Sequence, residues 1–189
     1  LDKKEKLSID NQASFNYNHN VDMAMVQGAT QSQRSIVNNW KISDVLKLNY
    51  RPDDNYEFTL HGGGTYYLIK SQREGFNNIH AGDYNIGMNA QITLPWKLQL
   101  TTDLTMFARR GYQLSEMNTT DWIWNAQLSR SFINKKLLVK LQGFDMLRQL
   151  SNTQYLMNAQ GRTETWNNSI PRYVMLSLSW RFNVNPKKK

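Results

Sequence analysis

The sequence predicts an all-β chain, a transmembrane antiparallel β-barrel with about eight strands in this chain. Three observations carry that expectation: long segments alternate apolar and polar residues with a period of two, aromatic residues recur about ten positions apart on one face of a segment, and short turns alternate with long polar loops.

Composition narrows the classes first. The chain has 189 residues and a mean hydropathy of −0.65, and no stretch approaches the roughly 18 uninterrupted apolar residues that a spanning helix needs. A helical membrane protein is therefore excluded. Aromatic residues nonetheless make up 12% of a chain rich in Asn, Gln, Ser and Thr, with six Trp and nine Tyr. A strand wall between lipid and water requires that combination. The absence of Cys removes disulfides, thiolate zinc sites and thiol nucleophiles. The formal charge of +8 lies partly in Lys187, Lys188 and Lys189 and is otherwise interleaved with acids, so no basic stripe forms and no nucleic-acid partner is expected. The chain opens on Leu1 without a basic-then-apolar leader, so an export signal is expected to have been cut away or to lie outside this sequence, and the first residue suggests a fragment.

The elements follow in order. A first strand is expected at 6–19, where Ile9, Ala13, Phe15 and Tyr17 form an apolar face that Asn11 interrupts. A second is expected at 36–50 between Trp40 and Tyr50; Asp44 falls on its apolar side, which calls for a bulge or a different register there. The third alternates through Tyr56, Phe58, Leu60, Gly62, Gly64, Tyr66 and Leu68. The fourth has the clearest signal, Tyr84, Ile86, Met88, Ala90, Ile92 and Leu94 against Asn85, Gly87, Asn89, Gln91 and Thr93. Leu98 to Ala108, Trp122 to Leu128, Leu137 to Leu141 and Val174 to Phe182 complete the set.

Short turns fall at 51–55, 95–97 and 133–136, and long polar loops at 20–35, 70–81, 109–121 and 148–170. In outer-membrane barrels the short side faces the periplasm, so both ends of this chain are expected there. Ten residues at about 3.3 Å each and a tilt near 45° cover roughly 23 Å, close to the apolar band of about 25 Å. Trp40, Tyr66, Tyr84, Trp122 and Trp124 would form the outer aromatic girdle, and Tyr50, Tyr56, Trp96, Trp180 and Phe182 the inner one. A soluble β-sandwich also alternates, but its strands are more often five or six residues long and lack rings at both ends of one face.

The segment Leu137 to Gln149 (LLVKLQGFDMLRQ) resembles the penultimate strand of the outer-membrane β-barrel family common in Bacteroidetes, whose members look like TonB-dependent receptors. Pro171 to Asn183 (PRYVMLSLSWRFN) is similar to that family's closing strand, although Leu147-Arg148-Gln149 stands where a Leu-Asn ending is commoner. The resemblance implies that 1–183 form the C-terminal strands of a larger transporter barrel, followed by a basic tail at 184–189. TonB and a plug domain would then act through residues outside this chain, and a surface lipoprotein could be a partner beside the lipid bilayer and lipopolysaccharide. The alternating Trp180 and Phe182 also look like a barrel-assembly signal. A self-contained eight-stranded barrel acting as anchor or adhesin is the alternative.

Candidate chemistry is sparse. His19, His61 and His80 lack metal-pair spacing, so no metal or cofactor is expected. His61 should face the lumen with Glu57, Asp103 and Arg109, and an enzyme would use it as a general base oriented by Asp103. No motif places a nucleophile beside it, so no enzymatic activity and no catalytic residue are expected. Gly62-Gly63-Gly64 sits mid-strand with no helix after it, and reads as a bend in the wall, not as a phosphate loop. Arg73, Arg109 and Arg110, at the loop ends, are candidates for lipopolysaccharide phosphates.

Overall fold

The computed structural model describes residues 6–25, 32–72, 77–151, 153–157, 162–168 and 170–182. Eight strands form one antiparallel sheet. They are β1 (Leu7–Met25), β2 (Ser32–Tyr50), β3 (Tyr56–Ser71), β4 (Ile79–Leu94), β5 (Leu98–Arg110), β6 (Thr120–Phe132), β7 (Leu137–Phe144) and β10 (Tyr173–Trp180), adjacent in that order. Two short strands, β8 (Thr153–Met157) and β9 (Arg162–Trp166), form a separate hairpin within the loop that had been expected at 148–170. Among the described residues β1 pairs only with β2 and β10 only with β7, so the sheet is open.

The ladders put every predicted apolar set on one face. Leu60, Met88 and Leu104 are neighbours across β3, β4 and β5, while Thr59, Asn89 and Asp103 are neighbours on the other face. The apolar face is exposed along its length, with Ile86 at 58% and Leu176 at 63%. An exposed apolar face of this extent has to be covered, by lipid or by another protein surface. The connections near 51–55, 95–97 and 133–136 are tight; Trp96, Lys97, Ile133, Asn134 and Lys135 take the left-handed conformation there. That end is called the turn side, and the opposite end the loop side.

Two expectations are corrected. The loops expected at 20–35, 70–81 and 109–121 are shorter than expected, because β1 continues to Met25, β2 starts at Ser32, β3 reaches Ser71, β4 starts at Ile79 and β5 and β6 reach Arg110 and Thr120. Backbone pairing does not need an apolar face, so the strands outlast the alternation that announces them. Asp44 needs neither a bulge nor a shifted register, since the β1–β2 and β2–β3 ladders run through it unbroken. It stays on the apolar face, and its carboxylate accepts the side-chain amide of Asn11 at 2.7 Å. The two polar interruptions of that face are thus one hydrogen-bonded pair.

The rings define a tilted band. From Leu46 the ladder runs through Gly62, Ile86 and Met106 to Trp122, whereas the ring on β2 is Trp40, six residues from Leu46. From Tyr50 it runs through Phe58, Ala90 and Thr102 to Ala126, six residues from Phe132. Both ring levels therefore shift by about 1.5 residues per strand, which at about 3.3 Å per residue and about 4.8 Å between strands is a tilt near 45°. The two levels stay parallel and ten residues apart on β2 and on β6.

Candidate functional site on the polar face

The densest side-chain arrangement lies on the polar face at the loop side. Val37, Ile69, Ile79 and Ala81 occupy polar-face positions of β2, β3 and β4, and they form the buried apolar cluster there. Tyr112, in the connection 111–119 between β5 and β6, packs onto that cluster. Its hydroxyl donates to Asp83 Oδ1 at 2.8 Å, and Arg109 Nε lies 3.5 Å from the same oxygen. Burial, and then the hydrogen bond to Asp83, push the Tyr112 phenol well above its ordinary value. Lys41 lies over the Tyr67 ring at 5.9 Å, further along the same face.

Local sequence explains why this connection folds inward. Gly111 has φ +81 and crosses so close to the backbone of His80 and Ala81 that any Cβ would collide. The Asn118 side chain then ties the loop to itself, accepting from Tyr112 N and donating to the carbonyls of Tyr112 and Leu114. Met117 is fully buried, and Gln113 donates to the Asn77 carbonyl.

A second segment covers the same face over β6, β7 and β10. After β7 the backbone turns at Asp145 (φ 43) and Arg148 (φ 55). The buried Asp145 carboxylate accepts from the N–H groups of Gln149 and Leu150 at 3.0 and 3.1 Å, and its own N–H donates to Asn125 Oδ1. Gln149 in turn accepts from Trp122 N, so a side chain satisfies the β6 edge where β7 has ended. Leu150 lines an open pocket of about 490 Å³ over β6 together with Ile123, Asn125, Phe144, Asp145, Ile170 and Tyr173. A neighbouring cavity of about 290 Å³ is lined by Phe107, Arg109, Asp121 and Ile123, among others.

The residues that sequence singles out are distributed differently. Glu57, His61, Asp103 and Arg109 do share the polar face. The last three have different partners: His61 Nε2 meets Thr105 Oγ1 at 3.4 Å, Asp103 accepts from Asn125, and Arg109 pairs with Asp83. The His61 ring reaches Thr105 by crossing Gly87, where a Cβ would lie 2.6 Å from its Cε1. His19 contacts Asn38 and His80 contacts Tyr66, and among the described residues no group of His, Cys, Asp or Glu is arranged to hold a metal ion. Gly62, Gly63 and Gly64 lie inside an unbroken ladder, with the Tyr84 ring over Gly64. Arg73 and the tail 184–189 lie outside the described residues. Tyr112 and Asn118 carried no periodic signal. Asp145 did stand in a quoted motif, where its role as a cap was not visible.

Compared with known proteins, residues 2–180 match the family described as "Outer membrane protein beta-barrel family". No curated protein and no solved structure matches the chain.

Proposed function

The chain belongs to the outer membrane protein β-barrel family of the bacterial outer membrane, and on that premise we propose that it forms part of the wall of a TonB-dependent-receptor-like transporter. The loop side is then the cell exterior, the apolar face meets lipid and the polar face lines the lumen. One observation carries this reading: the polar face is covered by whole backbone segments, the connection 111–119 and the turn from Asp145 to Leu150. An eight-stranded barrel has an interior only wide enough for side chains, whereas barrels of about 22 strands enclose a plugged lumen. Folded-in segments of this kind suit the wide barrel, as does a polar face of Ser, Thr, Asn and Gln. TonB and a plug domain would act through residues outside this chain. Transport assigns no chemistry to His61, whose ring is engaged with Thr105.

The test is strand closure. The chain has no Cys, and cysteines are placed at Phe15 on β1 and Leu178 on β10, with neighbouring registers sampled, in a full protein from which any other Cys has been removed. No crosslink is expected in the full protein. Efficient crosslinking would close eight strands on themselves and replace the transporter by an anchor or adhesin.

A further inference from the structure

Three basic side chains stand level with one another on the apolar face, just beyond the outer rings. Lys70 lies four residues from Tyr66 along β3, and His80 four residues from Tyr84 along β4, both toward the loop side. Arg110 lies two residues beyond Ala108, the ladder partner of Tyr84, and the band's slope of about 1.5 residues per strand adds to that separation. All three therefore sit about 9 Å past the rings, at about 3.3 Å per residue and a 45° tilt. They occupy adjacent strands, about 7 Å apart along the membrane plane for strands spaced about 4.8 Å.

Their polar ends are available. Lys70 lies over the Trp40 ring at 5.8 Å, a contact that leaves its three N–H donors open. His80 is exposed and meets Tyr66 through Nδ1, so its Nε2 is not used in that contact. Arg110 is pinned by Nη1 to the carbonyls of Arg109 and Thr119 and by Nη2 to Thr120, so two of its five N–H groups remain. The acids on β4 and β6 at this end, Asp83 and Asp121, belong to the polar face with Arg109, and Glu116 lies in the connection 111–119. Among the described residues no Asp or Glu shares the apolar face beyond the rings.

We infer that Lys70, His80 and Arg110 form a binding site for the phosphate groups of an anionic glycolipid headgroup in the outer leaflet. Position favours the lipid over a soluble ion: aromatic rings mark the headgroup level, and Lys70, His80 and Arg110 sit beyond them on the lipid-facing side. Arg109 is excluded because it faces the lumen and pairs with Asp83. The inference rests on the outer-membrane reading and on the loop side being the cell exterior.

The full protein is folded into phosphatidylcholine vesicles containing diphosphorylated lipid A, the same glycolipid without phosphates, or phosphatidylglycerol. Lipid retained after detergent extraction is counted by native mass spectrometry, with folding followed separately by heat-modifiable gel mobility. Diphosphorylated lipid A should be retained at least about tenfold better than its dephosphorylated form. The double variant Lys70→Gln, Arg110→Gln should lose that preference while keeping the folded mobility, and Lys70→Arg should retain it. Millimolar inorganic phosphate should not displace the lipid. Equal retention of the two glycolipids, an unchanged preference in the double variant, or displacement by inorganic phosphate would each overturn the site. So would a preference for phosphatidylglycerol over lipid A. A parent that never inserts overturns the spanning reading and the site with it, whereas insertion without selective retention overturns the site alone.

Discussion

Met88→Arg and Asn89→Arg place the same charge one residue apart on opposite faces of β4, and their stabilities should differ sharply. Met88 lies four residues from the Tyr84 ring and six from Leu94, so it sits near the middle of the apolar band, flanked by Leu60 and Leu104. A lipid-facing Arg at the bilayer midplane costs about 2–4 kcal/mol. Asn89 faces the lumen between Thr59 and Asp103; an Arg there gains a cross-strand acid, worth about 0.2–1 kcal/mol. Asp103 already accepts from Asn125, which places the gain at the low end. The two variants should therefore differ by at least about 2 kcal/mol, close to thirtyfold in the folding equilibrium. Urea titration of folding into phosphatidylcholine vesicles, followed by intrinsic Trp fluorescence and gel mobility, reads the difference directly. Met88→Leu should stay within about 1.5 kcal/mol of the parent, which separates charge from loss of shape. Equal costs for the two Arg variants, or a larger cost for Asn89→Arg, would refute the assignment of the faces.

Two further outcomes follow. Asn11→Leu should cost about 1–3 kcal/mol by leaving the Asp44 carboxylate without its amide partner on the apolar face, while Asn11→Leu with Asp44→Leu should recover parental stability or exceed it; strictly additive losses in the same titration would show that the pair is not coupled. The folded-state pKa of Tyr112 is raised, so the docking it contributes is fully present below its unfolded value near 10 and is lost as pH rises beyond that. Hydrogen exchange in 111–119 should accelerate above about pH 10 relative to a peptide control, and Tyr112→Phe should remove that dependence; a loop whose protection responds identically in parent and variant would contradict it.

The sequence made the sheet legible because a period of two is a local property of neighbouring residues. Tyr84 to Leu94 announces its faces without any knowledge of β3 or β5. Where strands leave the apolar band the alternation fades, and Asn20 to Asp22 or Ser32 to Ser35 read as loop although they are paired. The hairpin of β8 and β9 left a faint trace in Tyr155, Thr163 and Thr165, too short to separate from a polar loop. The lumenal arrangement was hidden for a different reason. Tyr112 meets Asp83 across 29 positions, and Asp145 meets Asn125 across 20. No local pattern encodes such pairings; only the register of intervening strands brings them together. Asp44 shows the reverse case, an apparent violation in one strand that is resolved by Asn11 in its neighbour.

The same register constrains what borders this sheet. The 19-residue β1 and the eight-residue β10 look mismatched as edges, but the slope of the ring levels removes the discrepancy. Carried one strand from Trp40, whose ladder partner is Tyr17, the outer level crosses β1 near 18–19, and the inner level lies ten residues below it. The rest of β1 extends past the rings, where water can satisfy its backbone. Carried the other way from Trp122, the outer level meets β10 near Tyr173 and the inner level lies just past Trp180. Inside the band the two edges are therefore nearly equal in length. Alternate residues of an edge strand point their N–H and C=O outward, so about five residues on each edge would face hydrocarbon unpaired, each group costing several kcal/mol. That sum exceeds the whole stability of an ordinary domain, about 5–15 kcal/mol, so neither edge can remain open in a membrane. On the proposed transporter reading the segments folded over the polar face take the space that joining the two edges within eight strands would need, and additional strands would pair both edges.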